Sequence, residues 1–369
     1  MSFESGSVSF RIYQLPRDIP EPVLDGFASR TAPPMEGVKD QPVYGWVTGR
    51  HLLDRQIDEQ NAFWGGYLRL CLLQAERKIP SSLLRAELKQ EELIRLSISG
   101  GEHLSRRERT EMKQEIVDRL LPSMPPQLKG MSFVHRQTDS LLFAETLADK
   151  QVDVFVSYFR EACGFAPIPL SPEALAKQLT HSDPESWPPC SFSADVEASR
   201  TSPLVGHDFM TWLWYQAELH PDHVPAGKEG EVGVMLEGPL TLVMEGGGAH
   251  ELSLRKGNPT QSAEAKSGLL AGKKLRRATL NVVKGETVWR LTLDGETLAV
   301  RSFKPVMAES ETPMDPASRF SDRMIQVEVI SGLICGMFES FCKERVDPEA
   351  WNKRVKAMQN WIEERNVSF

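Results

Sequence analysis

The alternation of apolar and polar positions from Ser7 to Leu15, with Val8, Phe10 and Ile12 on one side, predicts a strand. Pro33-Pro34 and Pro42 mark loops before Tyr44-Gly45-Trp46-Val47. Ala62 to Gln74 is apolar and aromatic, and Gly65-Gly66 inside it predicts a bulge or a close backbone approach within one strand. Pro80-Ser81-Ser82 then starts a helix carrying Leu83, Leu84, Leu88, Leu93 and Leu96, which Gly100-Gly101 breaks. A second helix starts at Ser105, with Glu108 placed to complete a capping box. Its apolar stripe is only Met112, Ile116 and Leu120, among alternating basic and acidic residues, up to the stop at Pro122, Pro125 and Pro126. One narrow stripe on two charged helices predicts a hairpin over 82–121 that projects from the body.

Met131 to Arg136 and Ser140 to Thr146 read as a hairpin around Gln137-Thr138-Asp139, followed by an amphipathic helix from Asp149 to Cys163 and a short edge strand from Ala166 to Leu170. Residues 171–203 are rich in Pro and Ser and read as a connecting segment. Asp208 to Glu218 is a helix bearing Phe209, Trp212, Leu213 and Tyr215. Strands follow at Val232 to Leu236, Leu240 to Met244 and His250 to Leu254, then a helix from Gln261 to Leu270. Three more strands, Arg277 to Val283, Thr287 to Leu293 and Leu298 to Phe303, are joined by the hairpin signals Lys284-Gly285 and Asp294-Gly295. Arg323 to Arg345 is a long apolar helix and Pro348 to Arg365 a charged one. The class is α+β, with antiparallel sheets, segregated helices and no βαβ alternation. Composition and breaks divide the chain into an α+β part over 1–170, a connecting segment and helix over 171–230, and a second α+β part over 231–369.

Across 369 residues, 40% are hydrophobic and 25% charged, which is the balance of a globular chain rather than a disordered one. No apolar run reaches the ~18 residues of a membrane span, and Met1 to Ser9 lacks the basic and apolar parts of a signal peptide. Five scattered cysteines, with no C-x-x-C pair, indicate neither a disulfide framework nor a zinc ribbon and fit a reducing cytoplasm. Catalytic signatures are missing as well. Gly268 to Lys274 has the wrong glycine spacing for a phosphate loop, and Gly246-Gly247-Gly248 joins two strands as a flexible turn. His207-Asp208 and His220-x-x-His223 offer metal-ligand types, but they read better as solvated histidines and a helix-capping Asp. No set of carboxylates is spaced to converge on a metal, so no catalytic residue, metal or cofactor is assigned.

Charge changes the picture. The chain carries 43 Lys and Arg against 51 Asp and Glu, a net −8. Yet Arg255 to Lys304 holds 11 basic residues against 4 acidic ones. Arg255-Lys256 ends one strand and Lys273-Lys274-Leu275-Arg276-Arg277 leads into another. If those strands are neighbours, the two clusters line one surface on which they would neutralise phosphates. An ordinary solvated basic face is the other reading. No reader of base edges accompanies them, so binding would not depend on sequence.

A set of motifs in order then resembles the RdgC family of bacterial recombination-associated proteins. They are Gly45-Trp46-Val47, Glu76-Arg77-Lys78-Ile79-Pro80-Ser81, the helix ending Leu120-Leu121-Pro122, Phe165 to Ser171, Ala271-Gly272-Lys273 leading into Arg277 to Leu280, and Phe320 to Phe341. Trp187 to Gly230 is expanded relative to the family, Asp347 to Phe369 is an added helix, and Ser123 to Gly130 departs from its pattern. The resemblance implies a ring-shaped homodimer around double-stranded DNA that is cytoplasmic, nucleoid-associated, non-catalytic and cofactor-free, and that restrains RecA-type strand exchange. Lys78 joins Arg255, Lys256, Lys273, Lys274, Arg276 and Arg277 as an expected DNA contact. The 82–121 hairpin and the C-terminal helix would supply dimer surface, unless Met112, Ile116 and Leu120 only pair the hairpin's two helices. Ile325, Val329, Leu333 and Met337 likewise need a partner, inside the chain or across chains. The rival readings are a metal-dependent exonuclease on DNA and a protein–protein scaffold with no DNA role.

Overall fold

The computed structural model describes residues 3–19, 23–39, 41–100, 103–137, 140–198, 204–245, 250–307 and 315–366. The expected breaks and turns at Gly101, Thr138-Asp139 and Gly246-Gly247-Gly248, and residues 199–203 of the expected connecting segment, lie outside the described residues. In chain order the elements are β1 (Val8–Gln14), α1 (Val23–Ala28), β2 (Val43–Thr48), α2 (Glu59–Ala62), β3 (Phe63–Trp64), β4 (Tyr67–Arg77), α3 (Ser81–Ser99) and α4 (Arg106–Leu120). Next come β5 (Pro126–Arg136), β6 (Leu141–Ala144), α5 (Asp149–Cys163), β7 (Ile168–Pro169), α6 (Pro172–Thr180) and α7 (Val205–Leu219). The chain continues through β8 (Val224–Pro225), β9 (Glu231–Val243), β10 (Glu251–Leu254), α8 (Ala263–Leu270), β11 (Lys274–Lys284), β12 (Thr287–Asp294), β13 (Ala299–Phe303), α9 (Pro316–Arg345) and α10 (Pro348–Glu364).

The strands form one antiparallel sheet in the order β10-β9-β11-β12-β13-β1-β6-β5-β4-β2, so the fold is α+β as the pattern predicts. β1 pairs with β13 through Val8 and Phe10 and with β6 through Arg11 to Gln14. That pairing carries the sheet across the boundaries expected at 170 and 230. The alternation of β1 also divides the core. Phe10 and Ile12 pack with Phe209, Trp212, Met337 and Phe338 of α7 and α9. Tyr13 packs on the opposite face with Trp46, Phe133, Phe155 and Phe159, under α1 and α5. Helices therefore cover opposite faces of the two half-sheets.

Three expectations change. Gly65 and Gly66, both at positive φ, make a tight turn between β3 and β4 and not a bulge in one strand, while the expected close backbone approach is present: a Cβ on Gly65 would stand 2.8 Å from the Ala317 carbonyl oxygen. The two strands expected between Val232 and Met244 are one strand, β9, which continues through Gly238-Pro239 with an irregular register against β11. Residues 171–203 are more than a connection: Ser171 caps α6, and Leu175, Trp187 and Phe192 are buried in the main core. The α3–α4 hairpin forms with its Ser105–Glu108 capping box. Met112 and Ile116 are buried between its helices, and Arg95–Glu115 and Arg119–Glu87 ion pairs cross it. The stripe therefore closes the hairpin on itself, while Leu93, Ile94 and Ile98 of α3 stay exposed. On α9, Leu333 and Met337 are fully buried inside the chain and Ile325 remains exposed.

Burial pushes the Tyr13 phenol up to about 12, against the hydrogen bond with Thr146 and the charge of Arg11, which lower it. Its folded value lies above the unfolded one, so this contribution to stability is complete below pH ~10 and is lost as pH rises towards 12. Unfolding free energies from urea titrations at pH 8 to 11.5 are expected to fall less steeply in Tyr13→Phe, by up to about 1.4 kcal/mol per pH unit above pH 10. Parallel curves for the two proteins would remove Tyr13 from the alkaline transition.

Candidate nucleic-acid interface

The half-sheet β9-β11-β12-β13 buries one face, through Leu240, Leu242, Ala278, Leu280, Val282, Leu291 and Leu293, in the core shared with α7 and α9. By strand alternation the opposite face carries Arg277, Thr279 and Asn281 of β11, Arg290, Thr292 and Asp294 of β12, and Arg301 of β13. Arg11 of β1, which points away from the core of Phe10 and Ile12, extends the row. Register places Arg277 opposite Asp294, Asn281 opposite Arg290 and Thr292 between Thr279 and Arg301.

Most of these cations have local counter-charges. Arg277 bonds Asp294, Arg290 lies 2.7 Å from Glu237, and Arg11 bonds Asp149 and the Leu147 carbonyl. Arg276, at a break in register beside them, lies 2.7 Å from Glu296 and 3.7 Å from Glu251. Arg301 is different in making no ion pair among the described residues; its enclosed Nε, like those of Arg11 and Arg276, has no hydrogen-bond partner. Burial lowers its proton affinity first, and the charges of Arg277, Arg11 and Arg276 lower it further, opposed by Asp294. An arginine keeps its charge under such pressure, so the site favours an anion that would share the guanidiniums.

The expected contacts separate. Arg276 and Arg277 lie at this face. Lys273 donates to the His250 carbonyl, 2.9 Å away, beyond the start of β11. Arg255 and Lys256 are exposed and follow the end of β10, at the sheet's edge and outside the arginine row. Lys78 is exposed past the end of β4, in the other half-sheet, with Glu76 2.6 Å away. Lys274 is a correction: it is buried at 4% exposure and is not part of a surface cluster. Its Nζ lies 2.6 Å from Asp208 and 2.9 Å from Glu245, above the Phe192 ring. Burial opposes its charge, but Asp208, Cys190 and Glu245 outweigh that and hold the ammonium above its ordinary range.

His220 and His223 are exposed after α7 as the sequence suggests, but Asp208 does not cap that helix and His207 is not solvated. Both are buried in the first turns of α7, where Arg345 shares Asp208 and the ring nitrogens of His207 face Glu245 and Glu296. His223 is exposed and pairs with Glu231. Among the described residues no three His, Cys, Asp or Glu side chains are grouped to hold a metal ion. Arg301 and Arg290 were visible in the sequence only as members of the basic stretch. Arg11 was missed, because nothing local indicates that it meets a strand 290 residues further on.

Fold and site together define an α+β protein whose antiparallel sheet carries, on the face opposite α7 and α9, half-buried Arg276, Arg277 and Arg301 around buried Arg11, Thr279 and Asp294. Residues 9–186 match the family model described as "Putative exonuclease, RdgC". Over that segment, a little under half of the chain, it is similar to the RdgC family. It is 30% identical over 119 residues to the recombination-associated protein RdgC of Pseudoalteromonas atlantica, covering 32% of this chain and 39% of that protein. The protein of the same name from Psychromonas ingrahamii is 24% identical over 147 residues, 38% of this chain and 47% of its own. That from Tolumonas auensis is 22% identical over 134 residues, 36% and 42% of the two chains. The chain thus matches less than half the length of these curated relatives. Arg11 falls inside the family match, and the other arginines of the face fall beyond it.

Removing the Lys274 ammonium strands two buried carboxylates. Lys274→Ala is therefore expected to cost about 3–5 kcal/mol in urea unfolding, whereas Lys273→Gln and Arg255→Gln should leave the midpoint within about 0.5 kcal/mol. A surface-like effect at Lys274 would contradict the buried triad.

Proposed function

We propose that the protein binds double-stranded DNA without regard to sequence through the arginine face of the second half-sheet, as a non-catalytic protein of recombination. The observation that carries this reading is Arg301, which has no ion pair among the described residues, half-buried beside Arg11, Arg276 and Arg277 on the sheet face opposite the core of α7 and α9. Strands lie about 4.8 Å apart, so the row from β1 to β11 spans roughly 14 Å. That compares with a major groove about 12 Å wide and is enough to meet several phosphates. The outward side chains named above include no aromatic residue on which an unpaired base could stack, which favours duplex over single strand. None of the face's elements is a helix or ribbon standing clear to enter a groove, so the contacts would be to backbone.

The family resemblance adds the finer parts of the proposal. Two copies would close a ring around the duplex, with Leu93, Ile94 and Ile98 of the hairpin as apolar surface for a second copy. Bound in the cytoplasm on the nucleoid, such a ring would restrain RecA-type strand exchange. The family model's description favours a second reading, a DNA exonuclease. That chemistry would require carboxylates converging on one or two metal ions, and the described residues offer no such group.

Fluorescence anisotropy with unrelated duplexes of equal length, from 50 to 300 mM salt, tests the proposal. Affinities should agree within a few-fold and fall steeply with salt. Arg277→Gln with Arg301→Gln should weaken binding at least tenfold and lower the salt slope by about two. Strong sequence preference, or full affinity in the double variant, would sink the phosphate account. Shortening of a linear duplex in Mg²⁺ or Mn²⁺ would favour the exonuclease, and sedimentation as a monomer above micromolar concentration would exclude the ring.

A further inference from the structure

The arginine face does not use Arg255 and Lys256, and their setting differs in kind. β9 is paired with β11 on one edge from Gly233 to Val243. On its other edge, β8 takes only Glu231 and Val232, and β10 only Leu240 to Val243. Between them the Val234 amide donates to the Pro221 carbonyl, 2.7 Å away. Two-residue alternation makes Leu236 the next residue to present its N–H and C=O on that side. Among the described residues no strand pairs with this edge from Met235 to Gly238.

A groove of about 1010 Å³ follows the open edge, walled by Trp214 and Leu219 of α7, Trp361 at the end of α10, and the loop that starts at Arg255. Two of its acids are already neutralised. Glu218 accepts from the Trp214 and Trp361 indoles and pairs with Arg365, while Glu237 takes Asn281 and Arg290. Arg255 in the groove lining and Lys256, its chain neighbour outside that lining, are exposed and have no hydrogen bond or ion pair among the described residues; Glu364 is the acid in the lining that offsets one of them. Met235, 56% exposed, gives the rim an apolar contact. Pro259 closes the far end: a Cβ on Gly238 would stand 2.5 Å from its ring.

We propose that this groove docks an acidic, extended peptide segment of a partner protein, which adds a short strand to β9. Its main chain would bond the Leu236 amide and carbonyl, alternate side chains would rest against Trp361 and Leu219, and its carboxylates would pair with Arg255 and Lys256. Main-chain bonding supplies affinity in strand addition, and the pockets for alternate side chains supply specificity. Closure at Pro259 limits the added strand to about five residues.

The test uses a fluorescently labelled, acetylated hexapeptide alternating Asp with Ile or Val, and the full-length protein. Saturable binding is expected. It should weaken at least tenfold when Lys replaces Asp in the peptide, when alternate peptide amides are N-methylated, and in Arg255→Glu with Lys256→Glu. Thermal melting is the check that this double variant, altered only at exposed positions, is folded. Its affinity for duplex should stay within twofold of the parent, so failure here and failure of the arginine-face reading are separable. No binding up to millimolar peptide, or binding indifferent to N-methylation or to the charge reversal, overturns the strand-addition site. Loss of duplex affinity in the same variant would assign Arg255 and Lys256 to DNA and overturn it as well.

Discussion

Everything in this structure depends on β1 being shared between two half-sheets. Seven residues, Val8–Gln14, pair with β13 at one end and β6 at the other, joining segments almost 300 residues apart. β1 is paired on both edges and also buries both faces, each in a different core. Phe10 and Ile12 enter the core of α7 and α9, and Tyr13 enters the core of α1 and α5. Because the helices switch sides at β1, each half-sheet keeps a face that its own helices do not cover. On that face of the second half, buried Arg11 lies beside half-buried Arg301. The proposed interface is thus a product of the topology before it is a matter of charge.

The second half-sheet is anchored to its helices by buried ions as well as by apolar packing. Asp208 on α7, Glu245 after β9, Arg345 at the end of α9 and Lys274 at the start of β11 share charges with almost no exposure to water. Such a cluster is weak as a source of net stability, since desolvation offsets most of the Coulomb gain. Its effect is positional: Lys274 reaches both carboxylates only with β11 set in one register against α7. That register in turn orders Arg276 and Arg277 at the edge of the arginine face. An inward lysine and two outward arginines within four residues divide one basic run between core and surface.

Much of the fold was legible in the sequence. The strand at Ser7 to Leu15, the capping box at Ser105, the hairpins at Lys284-Gly285 and Asp294-Gly295 and the two terminal helices all stand close to where periodicity and turn chemistry put them. These features rest on interactions a few residues apart. The errors share the opposite property. Gly65-Gly66 can serve a bulge or a turn, and only the pairing of Trp64 with Tyr67 selects the turn. The Pro- and Ser-rich stretch after 171 looks like a linker until Trp187 and Phe192 find a core built by α7 and α9.

The candidate site divides in the same way. That Arg255 to Lys304 is basic in an acidic chain, and which strand positions alternate to one side, can be read from the order of residues. Tertiary structure decided what each charge faces. Lys274 is neutralised because Asp208 and Glu245 arrive from other elements, Arg301 faces Thr292 and has no ion pair among the described residues while Arg277 takes Asp294, and Arg255 comes to rest beside an open edge of β9. Side-chain alternation is a property of one strand and survives in one dimension. Counter-charge and desolvation depend on atoms brought near by the packing of distant segments, and no spacing along the chain encodes them.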